Sequence, residues 1–231
     1  MTETALAVPA PQPVLVPVAG SDARFPVRRI YCIGRNYADH AREMGHDPDR
    51  EPPFYFMKSA DMVVLEPEAF RYPVQSKDVH FEVELVVAIG AEGTDVPVER
   101  ALDLVFGYAV GLDMTRRDRQ GEAKKLGRPW EVGKAFEGSA PLGTIVPVAK
   151  AGHPAKGAIT LEVDGAQRQS GDLSEMIWSV PELIAELSRH YRLMPGDLIF
   201  TGTPAGVGAV ERGQTMTGIV EGVGRISFKV A

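Results

Sequence analysis

Residues 80–89 read HFEVELVVAI, and this stretch decides how the chain folds. In a β-strand, successive side chains point to opposite faces of the sheet. One face is apolar throughout and consists of Phe81, Val83, Leu85, Val87 and Ile89. The other face consists of His80, Glu82, Glu84, Val86 and Ala88. The segment therefore predicts a strand with one buried face. On the other face, two carboxylates are followed by two apolar residues.

Short β-branched runs of the same kind recur between the 24 glycines and 18 prolines of the chain, which is typical of a β-rich body with many turns. The predicted strands are 29–33, 54–57, 81–90, 105–112, 158–163, 197–201 and 218–230. The predicted helices are 37–44, 115–126 and 176–191, and the last has apolar residues at helical spacing. We therefore predict a β-rich α+β fold with a few short helices.

Length and charge limit the classes of protein that need to be considered. The chain has 231 residues, 44% of them hydrophobic, which is enough for a substantial core. Its formal net charge is −6, so a general nucleic-acid binder is excluded, because the phosphate backbone demands a basic surface. No apolar run approaches the roughly 20 residues that cross a bilayer, so no membrane partner is expected.

A single cysteine, Cys32, excludes an intrachain disulfide and favours a cytoplasmic location. We interpret it as a small buried hydrophobic residue and not as a catalytic thiol. Residues 1–26 are predicted to form an extended N-terminal arm, because four prolines interrupt the first 20 residues and Glu3 stands where a signal peptide would be basic. Residues 27–231 are predicted to form a single catalytic domain.

Two carboxylates on a partly dry face predict a cation. Glu82 and Glu84 would repel each other there and lose hydration, so either one is protonated or a cation lies between them. Oxygen ligands suit Mg²⁺ or Mn²⁺. Asp113 is the candidate third ligand, because a strand over 105–112 would deliver it to the rim of a site. The alternatives are a half-exposed edge strand with solvated glutamates, and an Asp113 that caps the following helix.

Further polar residues stand at helical spacing. Arg117 and Gln120 follow Asp113 at steps of four and three residues, so on a helix they share its face. His40 and Glu43 are one helical turn apart, which lets the carboxylate orient the imidazole to take a proton from water. The same spacing also arises by chance on many surface helices.

The segment around His40 begins at Gly34 and ends at Gly45. Glycine tolerates the backbone changes that hinges require, so we interpret the segment as a mobile lid. His80 shares the face of the two glutamates, and we interpret it as a hydrogen-bonded pocket histidine, with metal ligation as the alternative. His46 is interpreted as a surface residue, and Lys124, Lys125 and Arg128 as a solvated helix end.

Together these segments resemble the compact single-domain branch of the fumarylacetoacetate hydrolase superfamily. The resemblance covers nearly the whole chain, from about Val27 to Val230. It is carried, in the order of the family, by GRNYADH at 34–40, the Glu82-x-Glu84 strand, GLDMT at 111–115, GKAF at 133–136 and TGTPAGV at 201–207. Residues 106–134 and 172–188 look most like the fumarylpyruvate hydrolases of gentisate degradation.

The resemblance implies a fold, a cofactor and residue roles. The fold is a mixed β-sandwich roll of the type found in the C-terminal domain of fumarylacetoacetate hydrolase, usually in a homodimer. One divalent cation per chain, Mg²⁺ or Mn²⁺, would be bound by Glu82, Glu84 and Asp113. The catalytic residues would be the water-activating pair His40 and Glu43, with Lys134 and Gln120 stabilising the developing enolate or oxyanion. The substrate contacts would be Arg35, Arg117 and Thr203.

The sequence departs from the family pattern at two positions. Arg116 precedes Arg117 where relatives often have a small residue, and we hypothesise that it holds the distal carboxylate of a dicarboxylic substrate. Ser59 follows Lys58 where the branch commonly has proline, so the resemblance gives Lys58 less weight as a pocket residue.

The predicted activity is that of a hydrolase acting on a carbon–carbon bond of a ketonic substrate. The substrate would be a small anionic 2-oxo acid of the acylpyruvate class, and fumarylpyruvate would give fumarate and pyruvate. One alternative is an oxaloacetate decarboxylase or another acylpyruvase of the same family, because decarboxylation also passes through a pyruvate enolate. A more distant alternative is a non-catalytic module that binds a structural cation.

Overall fold

The computed structural model describes residues 5–43 and 51–231. Its strands are β1 Val14–Pro17, β2 Arg24–Val27, β3 Arg29–Gly34, β4 Phe54–Ser59, β5 Val63–Leu65, β6 Val79–Phe81, β7 Val83–Ile89, β8 Val105–Leu112, β9 Thr115–Arg116, β10 Ala140–Leu142, β11 Val146–Pro147, β12 Ala158–Val163, β13 Ala166–Asp172, β14 Asp197–Phe200, β15 Gly208–Ala209, β16 Thr215–Val220 and β17 Gly224–Lys229. Its α-helices are α1 Ala38–Glu43, α2 Arg117–Lys125, α3 Glu131–Lys134, α4 Val148–Ala151 and α5 Val180–His190. Short 3-10 turns lie at Ala60–Met62, Val98–Leu104 and Leu173–Glu175.

Strand β7 lies at the centre of the largest sheet of the described residues. This sheet is mixed, in the order β4-β3-β14-β7-β8-β10-β5, with β11 also paired to β8. Strand β14 runs parallel to β3 and antiparallel to β7, so the chain returns across the sheet between distant segments. A second, antiparallel sheet has the order β13-β12-β16-β17. The predicted β-rich fold with few short helices is confirmed.

The two faces of β7 enter different hydrophobic clusters. Its odd-numbered face packs with the second sheet in one core, which includes Val83, Leu85, Val87, Leu161 and Phe228. Its even-numbered face contributes Val86 and Ala88 to another cluster. Burial on both sides explains why the run is almost continuously apolar. The predicted sandwich is confirmed, and the alternative of a half-exposed edge strand is wrong.

The N-terminal residues pack against the second cluster. Strands β1 and β2 form an antiparallel pair, and Val16, Val18, Phe25 and Val27 are buried in that cluster. Cys32 is buried there as well, as predicted. The boundary between an arm and a catalytic domain at residue 26 stays a prediction.

Two of the sequence predictions are wrong in detail. The predicted strand 81–90 is broken at Glu82, because β6 pairs with β15 and β9 whereas β7 joins the large sheet. The predicted strand 218–230 is a hairpin of β16 and β17, because the chain turns at 221–223. Both errors come from glycine and polar residues inside runs that are otherwise typical of strands.

The predicted helices are present, and those predicted over 115–126 and 176–191 are shorter in the structure. Helix α5 begins after Ser179, whose side chain forms a capping box with Glu182, and this cap explains why the predicted helix 176–191 starts four residues later. Helix α1 is described as far as Glu43. Met44, Gly45 and His46 lie outside the described residues.

Candidate active site

Strands β7 and β8 bring the three predicted metal ligands together. In their antiparallel register Val83 lies opposite Leu112, so Glu82 and Asp113 are the next pair along the ladder. The Asp113 amide donates to the Glu82 carbonyl at 2.8 Å, which extends the pairing by one residue. Glu84 lies opposite Gly111 on the same face.

The three carboxylates form a buried cluster. Glu82, Glu84 and Asp113 are 5%, 1% and 2% exposed, and each offers an oxygen within 4.8 Å of the others. An all-oxygen set of this kind suits a hard cation such as Mg²⁺ or Mn²⁺. These residues are therefore positioned to hold a divalent cation. Asp113 does not cap the following helix, since α2 begins four residues later at Arg117.

Three cationic side chains contact this cluster. The Lys134 ammonium donates to Glu82 Oε2 at 2.8 Å and to Asp113 Oδ2 at 2.6 Å. Arg117 Nη2 donates to Glu82 Oε1 at 2.6 Å. The fully buried ammonium of Lys58 lies 2.9 Å from Asp113 Oδ1. Glu84 instead accepts from the Gly202 amide at 2.8 Å, so it is the ligand without a cationic partner among the described residues.

Because the two glutamates are paired unequally, their pKa values shift in opposite directions. Burial opposes ionisation of Glu82, but Lys134 and Arg117 outweigh it and hold the pKa of Glu82 well below its usual range. Burial, together with the charges of Asp113 and Glu82, raises the pKa of Glu84. Burial also opposes ionisation of Lys134, but the carboxylates of Asp113 and Glu82 raise its pKa above that of a free lysine.

Helix α1 places His40 in a cavity that the three carboxylates also line. His40 Nδ1 lies 3.2 Å from Glu43 Oε2, as the spacing predicts. The Glu43 carboxylate also accepts from the Gly206 amide, at 3.2 Å to each oxygen. Glu43 therefore holds the imidazole through one nitrogen and fixes the helix to the loop after Thr203, which leaves Nε2 of His40 available to other partners.

Gln120 and Thr203 line the cavity and are held by their neighbours. Gln120 Oε1 accepts from Arg117 Nη1 at 2.8 Å, so its amide NH₂ group remains available as a donor. The Thr203 hydroxyl donates to the Val83 carbonyl and accepts from Gln169 Nε2, both at 2.8 Å. Its proton is therefore committed to the backbone of β7.

The predicted substrate contacts are divided between two places. Arg35 and Arg117 line the cavity that contains the carboxylates and His40. Arg116 does not line it. Its guanidinium lies over the Phe136 ring, 4.2 Å from the centroid, and borders a separate surface cavity with Arg119 and Arg128.

His80 is held outside the carboxylate cluster. His80 Nε2 lies 2.9 Å from Asp78 Oδ1, and among the described residues the candidate ligands are the three carboxylates alone. Burial and the charge of Arg117 lower its pKa. The position fits the interpretation as a hydrogen-bonded pocket histidine.

Sequence reasoning missed three residues of the site. Lys124 was assigned to a solvated helix end, but it lines the cavity beside Trp130. Lys58 was given less weight, but its ammonium contacts Asp113. Gln169 was not singled out, because nothing in its exposed strand distinguishes it; its side chain is fully buried and fixes Thr203. For Lys124, its position one helical turn after Gln120 was an available signal.

Fold and site together define a β-sandwich enzyme with a buried, oxygen-lined site for a divalent cation. The family described as "Fumarylacetoacetate (FAA) hydrolase C-terminal" matches residues 29–231. The chain therefore belongs to the fumarylacetoacetate hydrolase family, and the predicted family and fold are confirmed.

Relatives of known structure or name support this assignment. The chain is similar to a fumarylpyruvate hydrolase from Pseudomonas aeruginosa, solved in complex with Mn²⁺ and pyruvate, with 54% identity, a TM-score of 0.96 and coverage of 98% of this chain and 99% of that one. It is 47% identical to a fumarylpyruvate hydrolase of a Ralstonia species over 81% of this chain and 98% of the relative. It is 41% identical to the mitochondrial oxaloacetate tautomerase of Homo sapiens, over 88% and 91% of the two chains.

The described residues contain no helix with the length and apolar character needed to cross a membrane.

Proposed function

We propose that this enzyme hydrolyses a carbon–carbon bond of an acylpyruvate, with fumarylpyruvate giving fumarate and pyruvate. One cavity carries the carboxylates for a divalent cation, Mg²⁺ or Mn²⁺, together with His40, Lys134 and Gln120, and this convergence is the observation that supports the proposal. The similarity to fumarylpyruvate hydrolases, one of which was solved with Mn²⁺ and pyruvate, supports the choice of substrate and cofactor.

The chemical difficulty is that a carbanion has to leave the carbonyl group. When bound at Glu82, Glu84 and Asp113, a divalent cation supplies Lewis-acid charge that stabilises the pyruvate enolate. Lys134, Arg117 and the Gly202 amide hold these carboxylates in place beside one another.

His40 has the position of a general base. Glu43 accepts from Nδ1–H, which holds the tautomer in which Nε2 is free to take a proton from water. The oxygen of that water forms a bond to the acyl carbonyl carbon. The bond to the methylene carbon then breaks, its electron pair is delocalised into the enolate, and the enolate takes up the proton that His40 removed from water, which gives pyruvate.

Lys134 and Gln120 supply donors where negative charge develops. The Lys134 ammonium uses two of its protons on Glu82 and Asp113, so one proton remains for an oxygen of the substrate. The amide NH₂ of Gln120 is left free by the contact between its oxygen and Arg117. Donors fixed in a site that excludes water stabilise such charge by several kcal/mol.

A second candidate is chemistry on oxaloacetate, by decarboxylation or by tautomerisation. The 41% identity to a mitochondrial oxaloacetate tautomerase favours it, and the same carboxylates would serve an enolate of oxaloacetate. Neither reaction adds water to a carbonyl carbon, so His40 would not be needed as the base that activates water.

The test is a panel of fumarylpyruvate, maleylpyruvate, acetylpyruvate and oxaloacetate, assayed for pyruvate release with Mg²⁺ or Mn²⁺ and with EDTA. We expect metal-dependent release from the acylpyruvates, with fumarylpyruvate the best substrate, and an unchanged circular dichroism spectrum in EDTA. Release from oxaloacetate alone would overturn the hydrolase assignment.

Substitution of His40 separates the two candidate reactions. We expect His40→Ala to lower hydrolysis of acylpyruvates by at least about 100-fold, the usual contribution of a general base, while any oxaloacetate activity falls far less. His190→Ala, on the exposed end of α5, is the matched control and should change neither. Equal retention of both activities in His40→Ala would remove the histidine from the hydrolytic mechanism.

We also propose that the reaction belongs to gentisate-type aromatic degradation and that the enzyme is a cytoplasmic homodimer. The pathway follows from the resemblance of residues 106–134 and 172–188 to the fumarylpyruvate hydrolases of gentisate degradation. The dimer follows from the family resemblance, and the location from the single cysteine.

A further inference from the structure

The cations around the cavity fall into two groups. Arg117 and Lys134 are paired with carboxylates of the metal site. Arg35 and Lys124 line the same cavity, but neither has an ion-pair partner within residues 5–43 and 51–231. Both are partly buried, so water screens their charges less than it would on an open surface. The cavity therefore carries positive charge that its own carboxylates do not neutralise.

Arg35 is held in place by its backbone. Its φ of 60° lies in the left-handed region, which residues with a side chain seldom adopt and which persists only where the surroundings enforce it. Asn36 provides that enforcement, because its side chain donates to the carbonyls of Trp178 at 2.9 Å and Thr201 at 2.8 Å and accepts from the Trp178 amide at 2.8 Å. The guanidinium lies 5.9 Å from the centroid of the Phe54 ring. The turn thus fixes a cation at the cavity.

Lys124 reaches the cavity from α2. It stands four residues after Gln120 and seven after Arg117, so the three side chains share one face of the helix. Its ammonium lies 4.8 Å from the centroid of the Trp130 ring. Burial, and then the positive charges of Arg117 and Arg35, lower its pKa. An anion placed between these cations would relieve their repulsion.

Aromatic rings cover the wall between the two cations. Trp130 lies edge-on to Phe54, with ring centroids 4.8 Å apart, and its centroid is 6.2 Å from that of Phe56. Phe56 and Trp130 line the cavity. Such a wall suits a flat, conjugated acyl chain, which gains contact area there without exposing polar atoms.

We propose that Arg35 and Lys124 bind the distal carboxylate of a dicarboxylic acylpyruvate, whose planar acyl chain packs against Phe56 and Trp130. This inference rests on the proposed function and names the substrate class of the same site. Arg35 and Lys124 take the role that the sequence predicted for Arg116, whose guanidinium lies over Phe136 and borders a different cavity. The enzyme should accordingly discriminate between acyl groups that end in a carboxylate and those that end in a methyl group.

The test compares fumarylpyruvate, whose acyl chain ends in a carboxylate, with acetylpyruvate, in which a methyl group replaces the whole carboxyvinyl chain. Lys124→Met removes the charge and keeps an unbranched apolar side chain against Trp130. We expect it to lower kcat/KM for fumarylpyruvate about 10- to 100-fold, mainly through KM, and to lower that for acetylpyruvate by less than about 3-fold. Lys125→Met, the exposed neighbour on the same helix, is the matched control and should alter neither value.

Two further measurements keep the outcome clear. Lys124→Arg, which keeps the charge, should retain most of the activity on fumarylpyruvate. Inhibition by fumarate should be about 10-fold weaker in Lys124→Met than in the wild type. An equal loss on both substrates in Lys124→Met, or no loss on either, would overturn the distal-carboxylate site. Failure of the wild type to release pyruvate from both substrates would instead overturn the proposed function.

Discussion

At the scale of single residues, the buried ammonium of Lys58 organises the floor of the site. Its side chain has no solvent exposure. It lies 2.9 Å from Asp113 Oδ1 and donates to the carbonyls of Ser139 at 3.0 Å and of Lys134. One cation therefore holds Asp113 of the carboxylate cluster and the backbone of Lys134, which bridges Asp113 and Glu82. Removal of this cation would leave one oxygen of the buried Asp113 carboxylate without its cation, and two buried carbonyls without this donor, which is costly.

We therefore expect Lys58→Met to lower the free energy of unfolding by about 3 kcal/mol, the usual result of breaking a buried ion pair. Urea denaturation of the metal-free protein measures the change. Lys125→Met removes the same charge from an exposed position and should change stability by less than about 0.5 kcal/mol. A loss below about 1 kcal/mol in Lys58→Met would show that the site relaxes around the missing cation.

The charge of Lys124 predicts a pH dependence of substrate choice. Burial, Arg117 and Arg35 lower its pKa, with Lys134 acting in the same direction and Glu82 against it. The ammonium therefore loses its proton at a lower pH than a free lysine, whose pKa is about 10.4. The ratio of kcat/KM for fumarylpyruvate to that for acetylpyruvate should fall as pH rises towards that value.

Lys124→Arg is the control for this pH dependence. A guanidinium stays charged throughout the range, so in this variant the ratio for the two substrates should remain flat. Steady-state kinetics at a series of alkaline pH values give both ratios. The same decline in both proteins would trace the effect to another group.

Residue types and spacing were sufficient to predict that Glu82, Glu84 and Asp113 form one cluster of carboxylates, because they stand at the adjoining ends of two neighbouring strands. They were not sufficient for Lys58 or Lys124. A lysine in a strand and a lysine near a helix end are both usually solvated. For Lys58 only the packing of distant segments shows otherwise, and for Lys124 the helical spacing from Gln120 was the one local signal. The backbone φ of Arg35 is likewise fixed by contacts of Asn36 with residues more than 140 positions away.

At the scale of elements, the ladder between β7 and β8 sets the separation of the ligands. Glu84 lies opposite Gly111, and a Cβ atom at Gly111 would stand 2.7 Å from both the Phe200 ring and a Val86 methyl group. The glycine therefore leaves room for the Phe200 ring of β14 on this face of the sheet. The period-two pattern predicted strands at the positions of β7 and β8, but it gave no sign that position 111 needs to be glycine, because the partner ring comes from a strand that is distant in sequence.

Two glycines of the chain provide a matched test of this packing. Gly111→Ala should lower the free energy of unfolding by about 1 to 3 kcal/mol, as overpacking of a core does. Gly121→Ala, in the exposed part of α2 where a Cβ meets nothing within 4 Å, should raise it by about 0.5 to 1 kcal/mol. Thermal or urea unfolding measures both changes. Equal effects in the two variants would mean that the Gly111 contacts relax without cost.

At the scale of the whole molecule, the site depends on segments that the sequence separates widely. Strand β14 pairs with β3 in parallel and with β7, so Gly202 after β14 can donate to Glu84, and Asn36 after β3 can bind the Thr201 carbonyl. Local patterns predicted most of these elements but not their order in the sheet. The prediction of a mixed β-sandwich roll came from the family resemblance, because local periodicity carries no information on contacts between residues 165 positions apart.

The buried carboxylates predict that a divalent cation stabilises the whole fold. The unfolded chain keeps its acidic residues apart, so a cation binds the folded state preferentially. At 100 times its Kd it should add about 2.7 kcal/mol to the free energy of unfolding. For a chain of 231 residues this corresponds to a rise in Tm of about 5 to 10 °C, measured with Mn²⁺ against EDTA.

Glu84→Gln should lose most of this rise in Tm, whereas Glu99→Gln, at an exposed position, should keep it. Burial and the charges of Asp113 and Glu82 raise the pKa of Glu84. Its neutral amide analogue therefore resembles the protonated acid and should fold in the absence of metal. If Glu84→Gln and the wild type gained the same Tm from Mn²⁺, the stabilising ion would be bound elsewhere, because a site of three carboxylates that loses one charged ligand must lose affinity.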